Sequence, residues 1–317
     1  MDLRADANVI EHARTSVRTV GLFAPAGYDP DPERLARASR YFESRGLRVV
    51  DAVDPAARDG RFAGTDAARV DALMRVVADP EVDVALALRG GYGSSRLLAL
   101  VDFAAIATAV ARGLRLVAHS DFTAIELALL AKTGSISFAG PMASYDFGGE
   151  TVDAFTEEHF WRAVTEGRVD ARFDTDHPPL QVEGLLWGGN LTMLTSLIGT
   201  PWLPDVDGGV LFIEDVNERP YRVERMLLQL HHAGILARQR AVLCGAFSGY
   251  QPLAYENDYD LDAALAHVRG VSTTPLVPGL PFGHVPRKLT LAVGAPVSLR
   301  IADGRCRIEQ SFGVRPS

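Results

Sequence analysis

A serine becomes a nucleophile when a base takes its proton, and the base works best when a carboxylate holds its tautomer. Three residues of this chain stand where such a set can assemble. Ser120 lies in Ala118-His119-Ser120-Asp121-Phe122, between a short apolar run and a helical pattern. A serine at a strand-to-helix turn exposes its hydroxyl, and N–H groups at the helix start face a developing oxyanion. The turn lacks the flanking glycines of Gly-x-Ser-x-Gly, and Ser120, Asp121 or Thr123 fits a helix cap as well. Glu214 follows the apolar run Val210-Leu211-Phe212-Ile213, with Asp215 and Glu218 as close competitors. All three also fit solvated loop acids. His284 sits in Pro281-Phe282-Gly283-His284-Val285-Pro286, a loop between prolines where packing gives little reason for a histidine. Ser, Glu and His thus occur in that order, each beside a predicted strand end, which raises a serine hydrolase above the separate structural readings.

The loop Arg89-Gly90-Gly91-Tyr92-Gly93 fits a phosphate cradle, an oxyanion donor or a plain turn. It is not Gly-x-Gly-x-x-Gly, because Arg96 takes the last position, and no Gly-Lys-Ser/Thr follows. His119 beside the serine is a candidate lining residue, whereas His231-His232 lie in a helical pattern and read as surface. Without a His-x-x-x-His or Cys-x-x-Cys set, no zinc site is expected.

The elements that must position these residues follow from periodicity. Strand-like runs at 19–24, 47–53, 82–88 and 114–118 alternate with helical patterns at 33–45, 66–78, 94–101 and 123–132. That alternation predicts a parallel sheet with helices on both faces, whose ligands sit outside the carboxyl ends of the strands. The glycine loop and Ser120 both fall there. Residues 146–179, rich in charge and in Gly and Pro, read mainly as a connection, with some helix at 155–165. Beyond it, 190–198 and 223–233 read as helices, 210–213 and 241–247 as strands, and the alternation from Lys288 onward as hairpins. The 317 residues suit two domains, 1–145 and 180–317, joined by 146–179.

A net charge of −8 disfavours nucleic acid and anionic membrane as partners. No run approaches the ~18 apolar residues of a membrane span, and the N-terminus lacks a basic-then-apolar signal pattern. Cys244 and Cys306, both in strand-like surroundings, read as free thiols of a reducing, cytoplasmic compartment.

The segments RGGYGSSRLL, HSDFTAIELAL, LLWGGNLTMLTSLIGTPWLP, GGVLFIEDVNERPYRVERML and LPFGHVPRKLTLAVGAPVSL resemble the LD-carboxypeptidases, a family that includes the microcin C immunity peptidases. The resemblance spans nearly the whole chain. It implies an N-terminal flavodoxin-like domain, a C-terminal α+β domain of β-barrel-like, swivelling type, and a homodimer. It implies a triad of Ser120, Glu214 and His284 where the domains meet, with backbone N–H groups of Gly91 and Asp121 as the oxyanion hole. The implied reaction removes a terminal D-Ala that follows an L-centre such as meso-diaminopimelate in muropeptides, in cell-wall recycling, with no metal or organic cofactor. Arg89, Trp187, Asn190 and Arg219 are the candidate substrate contacts; for the arginines a surface ion pair, and for Trp187 interface packing, fits as well. Ala118 stands where many members have glycine, which matters only if the turn needs a positive φ there.

Three rivals remain. An immunity-type peptidase cleaving acyl-sulfamoyl aminoacyl adenylates needs an aromatic shelf, for which Trp187 or Trp202 are candidates. A non-catalytic muropeptide-binding protein has no need to keep all three triad residues. A nucleotide-dependent enzyme rests on the glycine loop alone.

Overall fold

The protein is described here by a computed structural model covering residues 17–251 and 253–312. Most of the N-terminal segment in which no signal pattern is read lies outside the described residues.

Five short strands, β1 (Thr19–Phe23), β2 (Arg48–Asp51), β3 (Val84–Ala87), β4 (Arg115–Ala118) and β5 (Ser137–Ala139), form a parallel sheet in the order β2-β1-β3-β4-β5. This is the flavodoxin-like order, whose switch point lies between β1 and β3. All strands but the edge strand β2 are buried throughout, as expected of a parallel sheet covered on both faces. The helix Asp66–Ala78 shows how local sequence builds the layer. Thr65 caps it by accepting from Ala68 N, and Val70, Leu73, Val76 and Val77 make a helical stripe against the sheet.

The second sheet is mixed. It contains β6 (Arg168–Asp174), β7 (Leu180–Asn190), β8 (Val210–Val216), β9 (Ala241–Ser248), β10 (Leu276–Pro278), β12 (Pro296–Ala302) and β13 (Arg305–Ser311) in the order β10-β9-β8-β7-β12-β13-β6. β7 to β10 run parallel, whereas β12, β13 and β6 are antiparallel. The sheet curls until its edges meet: a side chain on Gly279, just after β10, would run into the Asp174 carbonyl at the end of β6.

Three expectations are corrected, and one element was missed. The stretch 146–179 is not mainly a connection: beside the expected helix, which spans Ala154–Glu166, it supplies the edge strand β6. The helical pattern at 94–101 gives only a single 3₁₀ turn, Ser94–Arg96, and the α-helix follows at Phe103–Arg112, capped by Asp102. The helix Leu261–Val271 was not anticipated. Finally β11 (Leu291–Val293), in the run read as hairpins, leaves that sheet and pairs antiparallel with β5 of the first one. Only β12 and β13 form the expected hairpin.

The helix Thr123–Thr133 is buried on every side from Thr123 to Leu130. A helix without a polar face must be enclosed, and this one lies between β5 of the first sheet and β7 and the helix Leu191–Ser196 of the second. The 3₁₀ turn that leads into it, Ser120–Phe122, carries Ser120 to the junction of the two sheets.

Candidate active site

Ser120 leaves β4 through a sharp turn. It is one of few non-glycine residues with positive φ (64°), and Ala118 keeps ordinary strand geometry. Left-handed backbone costs a residue with a Cβ about 1–2 kcal/mol, and such strain persists where the surroundings over-determine it. The surroundings here are the glycine loop: a Cβ on Gly90 would stand 2.8 Å from Ser120 Oγ, so only glycine allows this approach. The capping alternative is not realised, because neither the 3₁₀ turn Ser120–Phe122 nor the helix after it has a side-chain cap. Asp121 instead accepts from Ser94 N at 2.7 Å and ties the elbow to the loop. Burial pushes its carboxyl above the usual range.

His284 Nε2 lies 2.8 Å from Ser120 Oγ, and His284 Nδ1 lies 2.7 Å from Glu214 Oε2. A carboxylate only accepts, so Nδ1 carries the proton and Nε2 presents its lone pair to the hydroxyl. Gly283, at φ 134°, lets the histidine loop settle on the acid, as a Cβ there would lie 3.3 Å from Glu214 Cβ.

Glu214 is fully buried on β8, where the pairing with β9 shifts register between Ile213 and Asp215. Consecutive strand residues normally face opposite sides, and a bulge re-aims one of them. Glu214 and Asp215 accordingly share one partner: Asn190 Nδ2 donates to Glu214 Oε1 at 3.2 Å and to Asp215 Oδ1 at 3.0 Å. Asp215 also accepts from Thr192 N and Oγ1. Burial, and secondarily the Glu214 charge, raises its carboxyl above the usual range. Glu218 is engaged by Arg222. Of the three acids, Glu214 is the one that meets the histidine.

Other groups support the site; of these Arg69, Lys288 and Thr156 were not singled out in the sequence, whereas Thr123 was read as a possible cap and His119 as a lining residue. Thr123 Oγ1 accepts from Asn190 N at 3.1 Å across the junction. Buried Arg69 donates to Pro25 O and Gly93 O beneath the glycine loop; its place in the apolar stripe of its helix was the available signal. Lys288, four residues past His284, forms a buried ion pair with Asp146. Its N–H donates to Thr156 Oγ1, which donates to Pro286 O, so the histidine loop is clamped at its far end. His119 donates from Nδ1 to Gly140 O at 2.6 Å, and its ring stands 5.1 Å from that of His284. Burial first, then the Lys288 charge, holds His119 well below the usual histidine range, so the catalytic candidate has a neutral neighbour.

The candidate substrate contacts separate. Asn190 faces the acids. Trp187 is 1% exposed, with its indole N–H donating to Gln239 Oε1, so it packs in the core and offers no face to a ligand. Arg219 pairs with Glu256 at 3.3 Å, whereas Arg89 donates to Tyr28 O beside the glycine loop. Both cysteines are buried and free, their thiols pushed up to about 12 by burial. Among the described residues no helix is long and apolar enough to cross a membrane, and no group of three His, Cys, Asp or Glu is placed to hold a metal.

Comparison with known proteins agrees with the resemblance. Residues 20–140 match the family model of the LD-carboxypeptidase N-terminal domain, and residues 183–299 that of the C-terminal domain. The chain is 33% identical to a probable murein peptide carboxypeptidase of Bacillus subtilis, over 92% of this chain and 91% of that protein. It is 25% identical to the microcin C7 self-immunity protein of Escherichia coli, over 93% and 94%. The crystal structure of muramoyltetrapeptide carboxypeptidase from Oxalobacter formigenes superposes with a TM-score of 0.88 at 44% identity, covering 94% of this chain and all of that one.

Proposed function

This chain belongs to the LD-carboxypeptidase family, and on that premise we propose that it is a serine peptidase releasing a terminal D-Ala from muropeptides. The N-terminal domain (1–145) delivers Ser120, and the C-terminal domain (180–317) delivers Glu214 and His284. The observation that carries this reading is the unbroken line from Ser120 Oγ through both ring nitrogens of His284 to Glu214.

Ser120 Oγ attacks the carbonyl of the L-centre, such as meso-diaminopimelate, while its proton passes to His284 Nε2. Glu214, buried and held by Asn190, stabilises the imidazolium that forms. The oxyanion is met by the N–H groups of Gly91 and Asp121. Asp121 is the second residue of the 3₁₀ turn Ser120–Phe122, where N–H groups have no acceptor within the helix. As the C–N bond breaks, His284 gives its proton to the leaving amine of D-Ala. Water then attacks the acyl-enzyme, His284 takes its proton, and Ser120 leaves with that proton while the shortened peptide departs as the acid. No step calls for a metal or an organic cofactor.

We place the enzyme in the cytoplasm, as a homodimer acting in peptidoglycan recycling. Light scattering at twice the 34.2 kDa chain mass would support the dimer, and at the chain mass would refute it.

Mass spectrometry of a tetrapeptide ending in diaminopimelate–D-Ala tests the reaction. Wild type releases D-Ala and Ser120→Ala does not; equal release by both would remove the serine assignment. The immunity-type reading is weakened, since Trp187 lies in the core and leaves half-buried Trp202 as its one remaining shelf candidate. Exclusive cleavage of an aminoacyl-sulfamoyl adenosine would reverse that preference. A protein that binds muropeptide while Ser120 stays inert to a fluorophosphonate would be a binding protein instead.

A further inference from the structure

A carboxypeptidase must tell a chain end from a chain interior, and the group that marks the end is its carboxylate. We propose that Arg89 holds the terminal carboxylate of the substrate, an inference that rests on the serine-peptidase reading above. Arg89 immediately precedes Gly90, the residue that touches Ser120. Its guanidinium is only partly exposed and has used one corner, Nη1, on the Tyr28 carbonyl at 3.0 Å. Its Nε is buried and has no hydrogen-bond partner among the described residues. A buried donor left unpaired is destabilising, more so when charged, and a partner supplied by a ligand offsets that cost.

The position of the free edge matters. Nε and Nη2 point along the same side of a guanidinium, the side that takes both oxygens of a carboxylate. Here that side borders the glycine loop. Cβ atoms built on Gly91 and Gly27 would lie 3.8 Å from Arg89 Nη2 and from Arg89 Nε, respectively. Among the described residues no carboxylate comes within ion-pair distance of Arg89, whereas Arg69 has Asp66 and Arg219 has Glu256. The nearby Asp29 is already engaged, accepting from Ser144 Oγ and Asp31 N and facing Arg34 at 3.9 Å.

The rim reinforces the sign. The Tyr145 ring carries Arg34 at 4.5 Å and Arg89 at 5.5 Å, and Arg61 stands 5.7 Å over Tyr92 of the same loop. Arg34 is itself paired with Asp29 and Asp31, so Arg89 and Arg61 are the cations this rim offers to draw a carboxylate toward the nucleophile. Arg219, the other candidate, is already neutralised by Glu256. Arg89 is therefore the specificity residue, and a free carboxylate on the leaving amino acid is what it selects.

The test compares kcat/KM for the tetrapeptide acid with that for its C-terminal amide. Wild type is expected to prefer the acid at least about tenfold. Arg89→Gln, which can still donate to Tyr28 O, is expected to lose roughly 10- to 100-fold on the acid and much less on the amide. The ratio then falls toward one, with Arg89→Lys between. Fluorophosphonate labelling of Ser120 reports whether each variant keeps its fold and nucleophile. A variant that labels normally and keeps the wild-type ratio overturns the proposal. So does a wild type that cleaves acid and amide equally, a reading that needs no variant. Failure of the serine-peptidase reading looks different: Ser120→Ala would still turn over, or wild type would leave both peptides intact, which would remove this inference as well.

Discussion

Ser120 is placed by main chain. A positive φ, a glycine that a Cβ would turn into a collision, and a helix enclosed between two sheets leave its hydroxyl little choice of position. Glu214 and His284 are placed by side chains. Asn190 holds the acid, the histidine holds it from the other side, and the Lys288–Asp146 pair with Thr156 clamps the end of the histidine loop. The nucleophile must not move during the reaction, so backbone strain suits it. The imidazole must change charge, and charged or dipolar neighbours can respond to that. Damage on the two sides should therefore differ in kind: steric on the Ser120 side, electrostatic on the other.

The largest effect is expected from Glu214→Gln. The shape is kept, but the amide can donate as well as accept and no longer fixes the imidazole tautomer. A fall in kcat of about 10³- to 10⁴-fold is expected, as for triads generally, and steady-state kinetics with unchanged circular dichroism would check it. Lys288→Met should strand the Asp146 carboxylate in a site where the two side chains are 4% and 5% exposed. Breaking such a pair costs roughly 3–5 kcal/mol, readable by urea unfolding. Pairing it with Asp146→Asn should recover much of that loss, and no recovery would argue against a buried-charge origin. On the other side, Gly90→Ala places a methyl 2.8 Å from Ser120 Oγ. A displacement of this kind is expected to lower kcat about 10²-fold with little change in stability. If stability fell and kcat held, the glycine would be serving the fold.

The smallest effect tests how dry the nucleophile side is. Glu126, one turn past the elbow, is fully buried, and neither carboxyl oxygen has a hydrogen-bond partner among the described residues. Burial raises its pKa well above the ordinary 4.5. A raised acid binds protons more readily folded than unfolded, so its penalty is absent below pH 4.5 and grows as pH rises toward the folded value. Glu126→Gln should thus stabilise the protein more at pH 8 than at pH 5, by chemical denaturation. An equal gain at both would mean the carboxyl is not neutralised by folding.

The candidate triad was legible because its local contexts are unusual: a serine between strand and helix, an acid ending an apolar run, a histidine between prolines. The parallel sheet was legible from short apolar runs alternating with amphipathic helical patterns. What failed depends on long-range partners. Residues 291–293 and 296–302 share one alternation, and a period cannot say which sheet a strand joins. Arg168–Asp174 alternates as well, but its charges face out from a sheet edge and read as linker. Trp187 was placed at the site by its neighbour Asn190, although its indole turns to Gln239 within the core. Lys288 has no local sign of burial, because Asp146 lies far off in sequence. Arg89 was a candidate among two arginines, and what separates them is long-range: Arg219 is paired with Glu256, whereas Arg89 has no carboxylate partner among the described residues.

The central claim is that Ser120 is a nucleophile activated from the opposite domain. Intact-mass analysis after treatment with a fluorophosphonate, followed by peptide mapping, tests it most directly. The account requires one adduct per chain, on Ser120, forming rapidly in wild type and very slowly in His284→Ala and Glu214→Gln. An adduct on another residue, or labelling of Ser120 at an undiminished rate without His284, would contradict it.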